Sequence, residues 1–494
     1  MGGVWKQEGA SDIEVQRPRE PHSFARITPE SDELFDYCAL QASLKLDFRT
    51  PEQSACTSFI PSPPPKIRAI AGLVGSIALL QPVIAILAAS AIAFCVFGAL
   101  VAWRIVLLLV ATTPGFARPK TIELPGAGDI ELPVYTVLVP LYHEARAVPG
   151  LAKALSQLDW PAGRLDILLL LECEDHETQQ AVGATNWPEG TRCLTVPKGS
   201  PQTKPRALNY GLQYARGTLA CIYDAEDRPH PKQLLAAYSA FARSSPDVAC
   251  IQAPLAAYNH GQSWIALHWA LEYAVQFGLL LPALARMRLP ILLGGTSNHF
   301  RMAVLRALGG WDAWNVTEDA DLGVRLARHG FRSGVIPLAT FEEAPETLGI
   351  WTSQRSRWLK GFLQTWAVMM RQSSATVSQI GIGGYLALQA MLLGTCLAAF
   401  VHGPLALLMI AGFIFFDGAL TGPGLWLMLV GYGINAMALL IAPGPRRMNR
   451  LWGALTLPLY WPLHSLAAVR ALYGWIKTPH FWAKTPHGLT AHPS

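Results

Sequence analysis

The chain reads as an α/β domain with a mostly parallel sheet, set between segments of apolar α-helix. Three observations predict this. Charged residues crowd the first 65 positions and the stretch from Ala117 to Arg371, which leaves two apolar zones. Between Leu132 and Tyr223, short continuous apolar runs alternate with helical spacing, the pattern of strands covered on both faces. The polar residues bunch at the ends of those runs, where open α/β sheets bind their ligands.

Composition bounds the reading. Of 494 residues only 15% are charged and 16 are Trp, too apolar for a simple soluble protein and too charged for a bare bundle of spanning helices. A net charge of +5 is modest; it suits an anionic membrane leaflet and does not point to nucleic acid. The eight cysteines are scattered without a CxxC pair and read as reduced thiols.

In chain order, residues 1–66 are polar, end in a Pro-rich run and read as a largely disordered cytoplasmic arm, with no signal-peptide pattern. Residues 67–111 hold only Arg68 and Arg104 as charges and are about twice the ~20 residues of one span, so a transmembrane hairpin turning at Gln81-Pro82 is expected. Residues 112–353 form the α/β domain. Strands are expected at Tyr135–Pro140, Asp166–Leu171 and Thr218–Tyr223, and helices at Ala147–Leu158 and Ala207–Ala215. Residues 354–379 carry Gln354-Arg355-Ser356-Arg357-Trp358 into an amphipathic helix. One face of it holds Trp358, Phe362, Leu363 and Trp366, with Lys360, Gln364 and Arg371 off that face; a helix in the membrane interface is the first reading and a core helix the second. Residues 380–476 supply further spans broken at Gly403-Pro404 and Gly422-Pro423, then a stretch from Leu451 that either crosses or dips and returns. Residues 477–494 form a cytoplasmic tail with a possible gating-type loop; no regulatory domain is expected after Ile476.

Four motifs carry chemistry. Asp224-Ala225-Glu226-Asp227 closes a buried strand with three carboxylates in one turn, which suits either a divalent cation or a solvated acidic loop. Asp319, in Thr317-Glu318-Asp319, begins a helix and is either a general base or a cap. Arg355 and Arg357 suit phosphate or lipid headgroups, and Trp358 offers a flat face for a sugar ring. Lys204 opens a helix after a Gly/Ser/Pro loop and could set a cation near phosphate. The 13 His form no zinc pattern.

With these residues in their order, the chain resembles the inverting, membrane-embedded family 2 glycosyltransferases, relatives of cellulose, curdlan and hyaluronan synthases, over roughly Leu132 to Trp366. The resemblance implies a GT-A-type nucleotide-sugar domain between transmembrane helices. It implies Asp319 as base and Pro140, Tyr142, Glu144, Glu172 or Asp175, Lys204, Asp224, Arg355 and Arg357 around the nucleotide sugar. It further implies Gly295, Thr296, Ser297, Glu318, Gln354 and Trp358 around the acceptor, and Mg²⁺ or Mn²⁺ on Asp224, Glu226 and Asp227. Glu226 stands where Asp is usual, which leaves Asp227 as an alternative ligand. Pro479 to Gly488 resembles a loop able to close over the nucleotide. The expected activity is processive polymerisation of a UDP-sugar, UDP-glucose foremost, with export through the chain's own helices in the plasma membrane. The expected partners are the donor, a growing glycan or a lipid acceptor, the bilayer and accessory export proteins. Single transfer to a lipid is the alternative.

Overall fold

The computed structural model describes residues 15–16, 25–27, 51–56, 72, 75–76, 79–113, 132–415 and 423–481. Most of the N-terminal arm, the first limb of the expected hairpin and residues 482–494 lie outside the described residues.

A nine-stranded sheet forms the centre, in the order β1-β2-β5-β4-β3-β6-β10-β8-β11. Its strands are β1 (Val15–Gln16), β2 (Ala25–Ile27), β3 (Tyr135–Leu141), β4 (Leu165–Glu172), β5 (Thr191–Val196), β6 (Leu219–Ile222), β8 (Val248–Gln252), β10 (Asn298–Arg301) and β11 (Arg332–Val335). β7 (Arg228–Pro229), β9 (Leu255–Ala257) and β12 (Thr340–Glu342) make a second, small sheet in the order β7-β12-β9. The run from β2 through β6 is parallel, and β10 enters antiparallel between β6 and β8.

The reason for the continuous apolar strands is visible in the packing. Side chains of a strand alternate between faces. Val137, Val139, Ile167, Leu169 and Leu171 enter one core with the helices α2 (Val148–Ser156) and α5 (Gln233–Arg243). Leu138, Leu168, Leu170 and Ile222 enter the other, with α4 (Lys204–Tyr214). That second core does not stop at the domain. It runs on through Leu107 and Leu108 of α1 (Pro82–Thr112) and through Ala438 and Leu439 of α12 (Pro423–Ile441). The remaining helices are α3 (His176–Gly183), α6 (Trp264–Val275, continued to Arg286), α7 (Met302–Ala307), α8 (Glu318–Arg328), α9 (Leu348–Arg371), α10 (Ser373–Gln389), α11 (Thr395–Phe415), α13 (Arg447–Tyr460) and α14 (Leu463–Lys477).

Among the described residues four helical stretches are long and apolar enough to cross a membrane: Pro82–Thr112, Trp264–Arg286, Ser373–Gly412 and Gly424–Ile441. Gly403-Pro404 does not interrupt its helix, contrary to the sequence expectation. Pro404 cannot donate to the preceding turn. The Ser465 hydroxyl compensates by donating to Ala399 O at 2.6 Å, beside Phe400 O, while the Gly403 N–H donates to Ser465 Oγ. The kink falls instead at Gly381, whose φ of 71° favours glycine. The apolar stretch from Leu451 divides at Trp461-Pro462 into two helices, each shorter than a span.

The arm is not wholly without structure. Ser54 and Ala55 are buried against Asp312, whose carboxylate accepts from Ser54 Oγ at 3.0 Å and from the Ala55 N–H at 2.6 Å. Arg371 donates to Ser54 O at 2.7 Å. A buried carboxylate in need of donors is what holds this piece of the arm.

Asp166 of β4 and Arg192 of β5 form a buried charge pair within the sheet. Asp166 accepts from Arg192 at 2.5 Å, Thr136 Oγ1 at 2.8 Å and the Arg216 N–H at 3.0 Å. Breaking a buried pair leaves an uncompensated charge. Asp166→Ala is therefore expected to lower domain stability by about 3 kcal/mol, read as a drop in the thermal midpoint of detergent-solubilised protein; an unchanged midpoint would contradict this account.

Candidate active site

The carboxyl ends of β3, β4 and β6 open onto a cavity of about 1110 Å³ that runs from the sheet into the helices. That exceeds the usual 300–1,000 Å³ of small-molecule sites, leaving room for two reactants. Pro140, Tyr142, Glu144, Glu172, Lys204, Asp224, Glu226, Gly295, Thr296, Glu318, Asp319, Gln354, Arg355, Arg357 and Trp358 all line it. Of the expected site residues only Asp175, Asp227 and Ser297 do not.

Each exception has a structural cause. Asp175 caps α3, accepting from the Thr178 N–H at 3.2 Å, and holds the His143 N–H at 2.5 Å. Burial pushes its pKa up, but these hydrogen bonds outweigh burial and hold it below the usual value. Of the two expected alternatives Glu172 lines the cavity, its Oε2 buried without a hydrogen-bond partner 3.9 Å from Arg206 Nη1. Burial, opposed by Arg206, raises the Glu172 pKa to about 7. Asp227 is fully buried under the acidic turn, accepting from the Asp224 N–H at 2.7 Å and lying against the Thr296 hydroxyl. It shapes the turn. Ser297, at a φ of 57°, turns its hydroxyl to Thr340 at 2.6 Å.

Lys204 is the central cation. Its ammonium lies 2.5 Å from Asp224 Oδ1 and donates to Gly295 O at 2.7 Å. Burial works against its charge, yet Asp224, Glu318 and Asp319 hold its pKa above the ordinary value. Gly295 lies beside both groups: a Cβ there would make ordinary contact with Asp319 Oδ2 at 3.5 Å and Lys204 Nζ at 4.0 Å.

Glu342, at the end of β12, is a member the sequence reading missed. It faces the cavity with Oε1 buried and without a hydrogen-bond partner. Burial, then Asp227, Glu226 and Asp224, push its pKa well above the carboxylate range. This surplus of carboxylate around Asp224 and Glu226 suits a hard divalent cation. As the side chains stand, no three His, Cys, Asp or Glu among the described residues are grouped to hold a metal, and Lys204 supplies the counter-charge.

Asp319 Oδ1 accepts from the Ala320 N–H at 2.8 Å at the start of α8. Burial raises its pKa, against Lys204 and Arg357. Burial and Asp319 together raise Glu318 to about 8.

The helix α9 reaches this segment directly. A Cβ on Gly361 would lie 2.2 Å from Thr317 Oγ1 and 2.7 Å from its Cβ, so only glycine lets the Thr317 side chain seat against this turn of the helix. Asn315 Nδ2 donates to Thr365 Oγ1 at 2.9 Å, and the Val316 N–H donates to Gln364 Oε1 at 3.1 Å. Gln364 and Lys360 are buried, contrary to the expectation of a polar outer face. Gln364 Nε2 donates to Pro479 O at 2.8 Å and Lys360 Nζ to Phe481 O at 2.8 Å. The beginning of the C-terminal loop element is thus tied to the same hub, and its remainder from 482 lies outside the described residues. Arg355 is held by Glu272 and stacks over Trp358 at 4.6 Å; Gln354 Oε1 accepts from Trp269 Nε1 at 2.9 Å. Glu272, the single carboxylate of the apolar stretch Trp264–Arg286, was a legible signal that the sequence reading passed over.

Two family models match the chain: glycosyl transferase family 2 over residues 136–305, and glycosyl transferase family group 2 over residues 221–441. The chain carries a family 2 glycosyltransferase domain. Similar proteins include a probable glycosyltransferase, YdaM, of Bacillus subtilis, 25% identical over 47% of this chain and 56% of its own length. A beta-monoglucosyldiacylglycerol synthase of Synechocystis sp. is 23% identical over 58% of this chain and 60% of its own length. A solved mannosyltransferase of Pyrobaculum calidifontis, in complex with GDP-Man and Mn²⁺, has 21% identity and a TM-score of 0.48 over 79% of this chain and 99% of that one. The chain spans about half the length of the curated relatives it matches.

A raised carboxyl pKa makes the glycosyltransferase domain's stability depend on pH. Glu318 titrates at about 8 when folded and near its ordinary 4.5 when unfolded. Its contribution is full below the unfolded value and is lost as pH rises through the folded one. The thermal midpoint of the wild type is expected to fall between pH 5 and pH 8.5. Glu318→Gln is expected to flatten that fall, and an equally steep fall in the variant would count against the assignment.

Proposed function

We propose that this chain is an inverting, membrane-bound glycosyltransferase of GT-A type that takes a hexose from a nucleoside diphosphate donor, UDP-glucose foremost, and passes it to a hydroxyl arriving from the membrane side. The observation that carries this reading is one cavity holding Asp319, the Lys204–Asp224 pair and Trp358 together, with helical walls beyond them. In it the domain, residues 112–353, lies on the cytoplasmic face of the plasma membrane between membrane helices.

Pro140, Tyr142, Glu144 and Glu172 bound the nucleotide end. Asp319 accepts the proton of the acceptor hydroxyl while its oxygen bonds to the anomeric carbon and the bond to the diphosphate breaks. Lys204 and Arg357 meet the charge that develops on the departing diphosphate. Mg²⁺ or Mn²⁺, held by Asp224 and Glu226 with Glu342 beside them, supplies further neutralisation when bound. Arg355, already engaged by Glu272, orients Trp358 and does not hold the donor's diphosphate in this reading.

Two acceptors fit. A growing β-glycan, polymerised processively, is supported by the Gln354 to Trp358 motif and by the Trp358 face stacked on Tyr273 inside the cavity. A lipid is supported by the aliphatic walls of the cavity among the helices and by the glycolipid-synthase relative.

Asp319→Asn is expected to lower kcat by at least about 10²-fold with donor binding retained, as loss of a general base does; full transfer by the variant would defeat the assignment. Because burial raises the Asp319 pKa, the acid limb of wild-type activity is expected above the ordinary aspartate range. The acceptor question is settled by product size. Lipid-reconstituted protein is given labelled UDP-glucose, UDP-N-acetylglucosamine or GDP-mannose with Mg²⁺ or Mn²⁺. Long polymer supports the processive reading, and short glycolipid alone excludes it.

A further inference from the structure

Where the sheet end of the cavity meets its helical part stands a group of half-buried polar side chains. Glu272 takes Arg355, accepts from Tyr460 Oη at 3.0 Å and lies 3.3 Å from His464 Nε2. Arg104, from α1, lines the cavity with these residues. Three nitrogens of this collar, Arg104 Nε, Arg355 Nε and His464 Nδ1, are buried without a hydrogen-bond partner. An unmade hydrogen bond on a buried polar group is costly, by about 1–3 kcal/mol each. Native structures rarely leave three such atoms around one space. Two guanidiniums face a single carboxylate, so the collar also carries an excess of positive charge.

Beyond the collar the walls are Phe94, Phe97, Leu100, Val401, Leu405 and Leu427, contributed by α1, α11 and α12. These aliphatic and phenyl walls suit acyl or isoprenoid chains. The two zones are contiguous, polar then apolar, in the order of a lipid's head and tails.

We infer that the collar of Arg104, Glu272, Arg355 and His464 binds the phosphate-bearing head of a membrane lipid, with its chains in the aliphatic wing, and that this lipid is the acceptor or the primer of transfer. This rests on the glycosyltransferase reading and names its acceptor class. The phosphate answers the extra positive charge of the collar. Diacyl phospholipids and isoprenoid phosphates share that chemistry.

The test uses the full chain in phosphatidylcholine nanodiscs doped with dioleoyl phosphatidylglycerol, undecaprenyl phosphate or neutral dioleoylglycerol. Lipid retained on the purified protein is measured by native mass spectrometry, and labelled sugar is counted in the organic phase. One of the two anionic lipids is expected to be retained at least about tenfold over dioleoylglycerol and phosphatidylcholine, a factor of ten being 1.4 kcal/mol; which of the two it is identifies the source. Arg104→Gln, at the collar, and Ala398→Trp, in the wing, are each expected to reduce retention about tenfold with UDP affinity unchanged. The variants report independently should either fail to fold. Equal retention of neutral and anionic lipid, or wild-type retention in the folded variants, overturns the proposal. Loss of UDP binding and of any sugar transfer by the wild type would instead overturn the glycosyltransferase reading on which it rests.

Discussion

The close approach of α9 to the start of α8 is the constraint on which the rest depends. Gly361 lies against Thr317, and the Asn315–Thr365 and Val316–Gln364 hydrogen bonds seal the contact. Through it, the helix that presents Trp358 to the cavity is locked to the segment that presents Asp319. The same helix holds Pro479 and Phe481 through Gln364 and Lys360. Hydrogen bonds to backbone carbonyls from two buried side chains leave little freedom for slippage between these parts.

The electrostatics follow from crowding carboxylates where water is scarce. Asp227 and Glu342 are pushed well up and Glu318 to about 8, because burial and neighbouring anions both oppose ionisation. Lys204 relieves part of that repulsion. A site of this kind is poised to accept cations and protons, and gains by doing so.

Much of the α/β domain was legible because its strands are covered on both faces and so read as unbroken apolar runs, as at Asp166 to Leu171. The site's membership was legible where polar residues end those strands. What could not be read was direction. Asp227 belongs to an acidic turn but points under it, Asp175 caps a helix, and Ser297 turns away at a positive φ. Glu342 comes from a distant segment, and only the fold brings it to the cavity. Pro404 was read as a break because its rescue by Ser465 comes from another helix. Gly361 gave no signal at all, since a glycine's role in close packing depends on the side chain set against it.

The Gly361 contact also acts as a ruler. With α9 clamped to the segment that carries Asp319 and its far end joined to the apolar helices, the height of Asp319 above the bilayer is a fixed length in the membrane reading. An acceptor would then be sorted by how far its hydroxyl stands from its chains. Headgroup stature, rather than the pattern of groups it displays, would decide which molecules are modified.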